Sequence, residues 1–419
     1  GTGQPIRYRN NLIFIPRTMS NTKLKRAPNF YFNINRIDQR ILEIRKELIG
    51  EGHDCYLVGG CIRDLISKKQ PKDFDLVTSA RPDAILKVFK KRARLVGNRF
   101  PIVHVRKGNL VVEIATFRSA NSLEIDYNKT GSILRDESFG VIEEDFSRRD
   151  FTINALYFDP DKNEILDFVN GIGDLNSRKL KFIGNPETRV REDPIRLLRY
   201  LRFAAKLDFE LDNAVISLLK KQANLLTTLS SARLFDEFKK IFLQGHAFKV
   251  WKFLINTRIP SLIWPDCETD NSIIFKGLKE TDKRFNKNKP LSPAFIIALL
   301  LWPTFEKKAS KGNPAELETI GRKMLKRQNT QMKIPLRYRE FILSIWKMQT
   351  KLTNKSIGMK ENVIRHRSFR ASYDLLAIRS QVDHALKDSF NFWSHTQLRS
   401  SDKKTRSPKN NSLDISKQH

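Results

Sequence analysis

Two aspartates at alternate positions, Asp73 and Asp75, close the stretch GGCIRDLISKKQPKDFDL that runs from Gly59 to Leu76. Alternate side chains on an extended strand share a face. The sequence therefore predicts both carboxylates on one side, with Phe74 and Leu76 turned into a core. Carboxylates that close repel one another unless a cation sits between them. Mg²⁺ is the hard, oxygen-seeking ion that one or two carboxylates hold together with substrate phosphates. The plainer reading is an acidic turn in solvent, which is what an isolated D-x-D usually is.

The neighbouring residues separate the two readings. Gly59 and Gly60 end an apolar run, Cys55 to Val58, that reads as a buried strand, and a helix is expected from Ile62. A strand-to-helix turn of this kind presents backbone N–H groups to a phosphate. Arg63, on the first turn of the helix, is a candidate clamp for the same phosphates. A Gly-Gly pair alone marks only a strand end; beside Asp73 and Asp75 it predicts a phosphate cradle next to a metal platform. No G-x-x-x-x-G-K-[ST] is present, so the cradle is not that of a P-loop NTPase.

Several elements must position these groups. Ile37 to Ile49 has helical spacing, Phe74 to Val77 reads as a second strand, and Pro82 to Phe89 as a helix opened by proline in its first turn. PIVHV and LVVEIATF read as paired strands turning at Gly108-Asn109. Alternating strands and helices build an α/β domain. After about Gly171 the strand signals fade, and helical patterns run from Pro194 to about Trp393, with loops near Pro260 to Asp270 and Asn286 to Ser292. The expected organisation is a basic arm over residues 1–36, an α/β head over 37–171, a helical neck over 172–245, a helical body over 246–397 and a basic disordered tail over 398–419.

The formal net charge of +31 over 419 residues favours a polyanionic partner, nucleic acid before a membrane surface. The longest apolar run, Phe295 to Trp302, is too short to cross a bilayer. Cys55, Cys61 and Cys267 are too few for a disulfide scaffold and read as structural thiols in a reducing compartment, so a cytoplasmic location is expected. His53 near Cys55 and Cys61 lacks the fourth ligand and the spacing of a zinc site. His104 reads as a packed strand histidine.

The order GGxxRD, then D-x-D, resembles the nucleotidyltransferase superfamily that holds bacterial poly(A) polymerases and CCA-adding enzymes. RRDFTINAL (Arg148 to Leu156) is similar to that family's second motif, LDFVNGIGDL (Leu166 to Leu175) to its connector, and EDPIRLLRYLRFAA (Glu192 to Ala205) to its nucleotide-recognition helix. SPAFIIALLLWP near Ser292 and FRASYDLLAIR near Phe369 continue the likeness, which spans roughly residues 40–395. LVGNRFPIVHV (Leu95 to Val105) is similar to the segment that marks poly(A) polymerases, although Asn98 stands where a basic residue is usual; NPETRVREDP (Asn185 to Pro194) also looks like the polymerase version. The resemblance implies an α/β nucleotidyltransferase head followed by an all-α neck, body and tail. It implies a third carboxylate near the metals, Glu113 or Asp150, nucleotide contacts from Arg149 and Asn154, and nucleotide binding by Arg199 and Arg202.

Helical geometry adds a reading of the recognition segment. Glu192 and Arg196, four apart, are placed to pair. At about 100° per residue, Asp193 and Arg196 lie about 60° apart and Asp193 and Arg202 about 180° apart. Asp193 with Arg196 suits a base offering an amino donor beside a ring acceptor, so adenine and cytosine both remain open, and Asp193, Arg196, Arg199 and Arg202 cannot all touch one base. The plainer reading is a salt-bridged helix surface. The reading that joins these features is transfer of AMP from ATP to RNA 3′ ends by two Mg²⁺ ions on Asp73 and Asp75. CCA addition to tRNA is the rival within the family. A non-catalytic RNA-binding protein on the same fold is the rival from another class, disfavoured by the intact Asp73, Asp75, Gly60 and Arg63. RNA-degradation machinery is a further expected partner.

Overall fold

The computed structural model describes residues 24–97, 101–119, 125–127, 133–136, 139–310, 316–354 and 360–405. The chain divides into two units, Gly1–Leu219 and Lys220–His419. The first holds the strands β1 (Lys25–Pro28), β2 (Cys55–Val58), β3 (Asp75–Thr78), β4 (Ala93–Val96), β5 (Ile102–Lys107), β6 (Leu110–Thr116), β7 (Ile125–Tyr127), β8 (Ile133–Asp136), β9 (Leu156–Asp159) and β10 (Glu164–Asp167). Its helices are α1 (Gln39–Gly50), α2 (Gly60–Ile66), α3 (Pro82–Phe89), α4 (Ile142–Arg148), α5 (Gly171–Asn176), α6 (Pro186–Glu192) and α7 (Ile195–Leu207). Among the described strands, eight form one sheet in the order β1-β10-β9-β2-β3-β6-β5-β4, and β7 pairs with β8 apart from it.

The apolar run of β2 puts it mid-sheet, antiparallel to both β3 and β9. β3 runs parallel to β6. One face is filled by Val58, Val77, Phe146, Tyr157, Leu166 and Phe168. Arg45 ties α1 to the sheet: buried at 4% exposure, it donates to the Cys55 carbonyl at 2.7 Å, to Asp159 at 3.0 Å and to Asp161 at 2.8 Å. Cys55 and Cys61 are buried, and burial pushes both thiols up to about 12.

Three expectations need correction. β3 begins at Asp75, so Asp73 lies just before the strand, and Phe74 is only half-buried. The last β2 residue, Val58, faces Asp75, and the chain then turns away at Gly59, leaving Asp73 no ladder on that side. Within the expected basic arm, Lys25–Pro28 forms the edge strand β1 against β10. The short β4, antiparallel to β5, has no counterpart in the sequence reading.

The described elements of the second unit are helical. α8 (Asn213–Gln222) spans the division between units, followed by α9 (Ser231–Phe242), α10 (Ala247–Leu254), α11 (Ile259–Ile263), α12 (Ser272–Asn286), α13 (Pro293–Ala309), α14 (Leu317–Gln331), α15 (Leu336–Thr353), α16 (Lys360–Arg365), α17 (Phe369–Ser380) and α18 (Lys387–Thr405). The run Phe295 to Trp302 lies in the N-terminal half of α13, a helix packed by α12, α14 and α15, because a helix apolar all round must be covered all round. α11 falls where a loop was expected, and α18 reaches Thr405, into the expected tail. Among the described residues no helix is long and apolar enough to cross a membrane. Asn98, residues 1–23 of the arm and residues 406–419 of the tail lie outside the described residues.

Candidate active site

The acidic edge is set by strand register. Asp75, the first residue of β3, lies opposite Val58 on one side and Glu113 of β6 on the other. Paired residues project to the same face, so the Asp75 and Glu113 carboxylates are neighbours while Val112 and Ile114 are buried. Glu113 remains 54% exposed, with Oε1 3.3 Å from His104 Nε2. Asp73 is exposed and Asp75 half-buried. Among the described residues no group of three or more His, Cys, Asp and Glu could by itself hold a metal ion. An oxygen set this sparse fits Mg²⁺, which takes few protein carboxylates and completes its shell with water and phosphate.

The glycine turn stands at the end of β2. Gly59 has φ +81° and ψ −132°, a conformation closed to residues with a Cβ. A Cβ there would also lie 3.6 Å from the Asn154 carbonyl oxygen and 3.9 Å from Arg149 Nη1. The turn therefore borders the RRDFTIN segment, which joins two motifs far apart in sequence.

Behind the turn runs a buried polar chain. Arg63, at 1% exposure, donates to Asn154 Oδ1 at 2.5 Å and to Asp64 Oδ1 at 2.9 and 2.7 Å. Asn154 Nδ2 donates to Asp150 Oδ1 at 3.1 Å, and the Phe151 N–H donates to the same oxygen at 2.8 Å. Arg199 donates twice to Asp150 Oδ2, at 2.8 and 2.5 Å. Burial works to raise the Asp150 carboxyl, but Arg199 and the Asn154 amide more than offset it and hold it at about 2. The guanidiniums of Arg63, Arg199 and Arg202 lie 5.3, 5.5 and 4.5 Å from the centre of the Phe203 ring.

This geometry revises several sequence readings. The Arg63 guanidinium, expected as a phosphate clamp, grips Asn154 and Asp64 instead of an open site. The Asn154 amide likewise bonds Arg63 and Asp150. Asp193 is not in the recognition helix: it is extended, φ −150° and ψ 93°, between α6 and α7. Pro194 disfavours helical backbone at the residue before it, so the helical angles from Asp193 to Arg196 and Arg202 do not apply. The Glu192–Arg196 pair forms, at 3.1 Å, but across that break. Arg196 is buried and also donates to the Arg189 carbonyl at 2.7 Å. Arg149 is 23% exposed and bonds Asp145 Oδ2 at 2.9 Å and the Tyr157 hydroxyl at 2.9 Å.

Asp64, Asp145, Tyr157, Arg189 and Phe203 belong to the site and were not read from the sequence. Asp145 carried a signal, four residues before Arg149, which caps the end of α4. Arg189 links the recognition segment to the second motif through the Arg149 carbonyl at 2.8 Å and Glu192 at 2.5 Å. Burial, then the neighbouring Arg196, lowers its guanidinium to about 9.

Comparison with known proteins gives a consistent result. Residues 55–181 match the Poly A polymerase head domain, 208–269 the probable RNA and SrmB- binding site of polymerase A, and 313–418 the polymerase A arginine-rich C-terminus. Poly(A) polymerase I of Haemophilus influenzae is 36% identical over 379 residues, covering 85% of this chain and 84% of that protein. The CCA-adding enzyme of Streptococcus thermophilus is 34% identical over 263 residues, covering 62% of this chain and 64% of its own. The crystal structure of the Bacillus stearothermophilus CCA-adding enzyme in complex with CTP shares the fold, with TM-score 0.59 at 22% identity over 85% of this chain and 81% of that one. With the longer likeness lying on the polymerase side, the chain belongs to the poly(A) polymerase family of nucleotidyltransferases.

Proposed function

We propose that the protein is a template-independent polynucleotide adenylyltransferase that adds AMP from ATP to RNA 3′ ends. The observation that carries the reading is the register placing Asp75 beside Glu113 at the strand end where the chain turns through Gly59. Asp73 and Asp75 would hold Mg²⁺, with Glu113 as the third carboxylate. When bound, Mg²⁺ supplies positive charge to the reacting hydroxyl and to the triphosphate. The Gly59-Gly60 turn and Arg149 contact the phosphates. The RNA 3′-hydroxyl oxygen forms a bond to the α-phosphorus as the bond to pyrophosphate breaks, with no covalent enzyme intermediate.

Asp150, already bound to Arg199, acts by orienting that guanidinium toward the nucleotide. Arg63 and Asn154 support the turn from behind, and Arg202 shares the Phe203 ring with Arg63 and Arg199. Base recognition falls to Asp193, held at the α6–α7 junction that Arg196 fixes. The α/β head carries the chemistry, and the neck, body and tail hold RNA. A cytoplasmic location and recruitment to RNA-degradation machinery extend the same proposal.

Incubating the full chain and Mg²⁺ with an unmodified RNA and each single NTP tests it. Extension with ATP alone into long tails is expected. Efficient CMP incorporation would move the assignment to CCA addition, and RNA binding without extension by any NTP would leave a non-catalytic binder.

A further inference from the structure

A cavity of about 520 Å³ opens wholly within the second unit, among α12, α13, α15, α17 and α18. Its rim carries Lys283, Arg284, Lys287, Lys289, Arg367 and Arg370 against the carboxylates of Glu280 and Asp374. Its wall carries Phe295, Phe341, Tyr373 and Phe390, all half-buried. Much of this surface, including Lys283 to Phe295, falls between the two matched C-terminal segments, which end at 269 and begin at 313.

The charges are arranged in two groups. Asp374 holds Arg284 at 3.1 Å and Arg370 at 3.2 Å, so these guanidiniums are fixed in place. Lys287, Lys289 and Arg367 are exposed and form no salt bridge with a carboxylate among the described residues. Tyr373 stacks on Phe390 at 5.3 Å and 26°, and its hydroxyl meets Ser394 Oγ at 2.7 Å, which holds the ring still.

Cations on the rim and aromatic faces on the wall separate phosphate from base as a single strand of nucleic acid does. A duplex keeps its bases stacked inside and would meet only the rim. An acidic peptide would satisfy the rim and leave the aromatic wall unused. We propose that this cavity is a single-stranded RNA subsite, taking an unpaired base against the aromatic wall and the flanking phosphates on the basic rim. The inference rests on the adenylyltransferase reading for its choice of RNA, and it adds a base-binding site separate from the nucleotide site of the first unit.

The test uses the full chain and a fluorescent A15 RNA oligonucleotide, with the same oligonucleotide in a duplex and with polyglutamate as competitors. Lys287→Ser with Lys289→Ser should weaken A15 binding and flatten the slope of log affinity against log salt by about 1.4, at about 0.7 for each phosphate left without its lysine. Phe341→Leu should weaken it about fivefold or more without changing that slope. In both variants kcat at saturating RNA and the KM for ATP should stay at wild-type values, and circular dichroism should confirm an intact fold. Wild-type A15 affinity in both variants would overturn the subsite, as would a duplex that competes as well as the unlabelled single strand, or polyglutamate that displaces A15 from wild type but loses that ability with the double lysine variant. Altered binding in a protein that adds no nucleotide would instead refute the adenylyltransferase reading and leave the subsite standing.

Discussion

The acidic edge and the buried polar chain of the first unit are both built from carboxylates, yet their surroundings are opposite. Asp73 and Glu113 are exposed, Asp75 is half-buried, and Asp75 and Glu113 are neighbours by strand register. Asp150 is 8% exposed, with Arg199, Asn154 and a backbone N–H on its oxygens. A carboxylate with a guanidinium, an amide and a backbone N–H on its oxygens is taken up by its own chain, whereas Asp73 and Glu113 of the acidic edge face solvent. Availability, more than membership of a motif, separates residues that meet a ligand from residues that hold the site in shape.

Removing a carboxylate of the acidic edge should have the largest effect. Asp75→Ala is expected to lower nucleotide addition at least about a hundredfold, the scale of several kcal/mol of charge stabilisation withdrawn from the reacting groups. RNA affinity should stay within about twofold, since a carboxylate at the acidic edge does little to hold RNA phosphate. Steady-state kinetics alongside an RNA-binding titration decide this; activity within tenfold of wild type would end the metal-edge assignment.

Base choice comes next. Asp193→Ala should reduce ATP use and narrow its advantage over CTP, GTP and UTP, with a cost of about 1–3 kcal/mol for an unpaired group at the base. Unchanged ratios of kcat/KM across the four nucleotides would place recognition elsewhere.

The third comparison sets Glu113 against Asp150 directly. Glu113→Gln should lower kcat about tenfold and leave the Tm unchanged, since tenfold is only about 1.4 kcal/mol of barrier and the side chain is exposed. Asp150→Asn should cost about 2 kcal/mol of stability, because its carboxyl lies near 2 when folded against 3.8 ordinarily. A folded-state value below the unfolded one means that this stability is present above about pH 4 and is lost as pH falls toward 2. The difference in stability between wild type and Asp150→Asn should therefore shrink over that window, and a constant difference would show that the carboxylate is not held as described.

The turn is expected to show an effect on stability alone. Gly59→Ala forces a Cβ into a conformation reserved for glycine, at about 1–3 kcal/mol of strain. Chemical denaturation would measure it, and a cost near zero would mean that the turn can relax.

What could be read from the sequence follows the range of the signal. The apolar run of β2, the helix behind Pro82 and the turn at Gly108-Asn109 are local, and each appears where its pattern places it. Asp73 and Asp193 were misplaced because Asp73 lies two residues before β3 and Asp193 one residue past α6. Register ends the β3 ladder in one case, and Pro194 interrupts the helix in the other. β1 was missed because its partner β10 lies far along the chain, and Lys25-Arg26 gives no strand signal alone. The grip of Arg63 on Asn154 and of Arg199 on Asp150 leaves no periodic trace, so motif residues that face one another looked like residues that face a ligand.

Those two bonds close over 91 and 49 residues of chain. Loop-closure entropy makes contacts of such separation slow to form, and they come after local helices and hairpins in folding. During synthesis the sheet edge bearing Asp75 and Glu113 can emerge and pair well before Arg199 leaves the ribosome. The carboxylate at Asp150 then lacks its guanidinium, and the glycine turn lacks the Arg63–Asn154 brace until residue 154 has arrived. A nascent or truncated chain ending before α7 therefore carries the acidic edge without its supporting lattice. Completion of α7 is the step that brings Arg199 to Asp150 and closes that lattice, so the support of the acidic edge is timed by chain length.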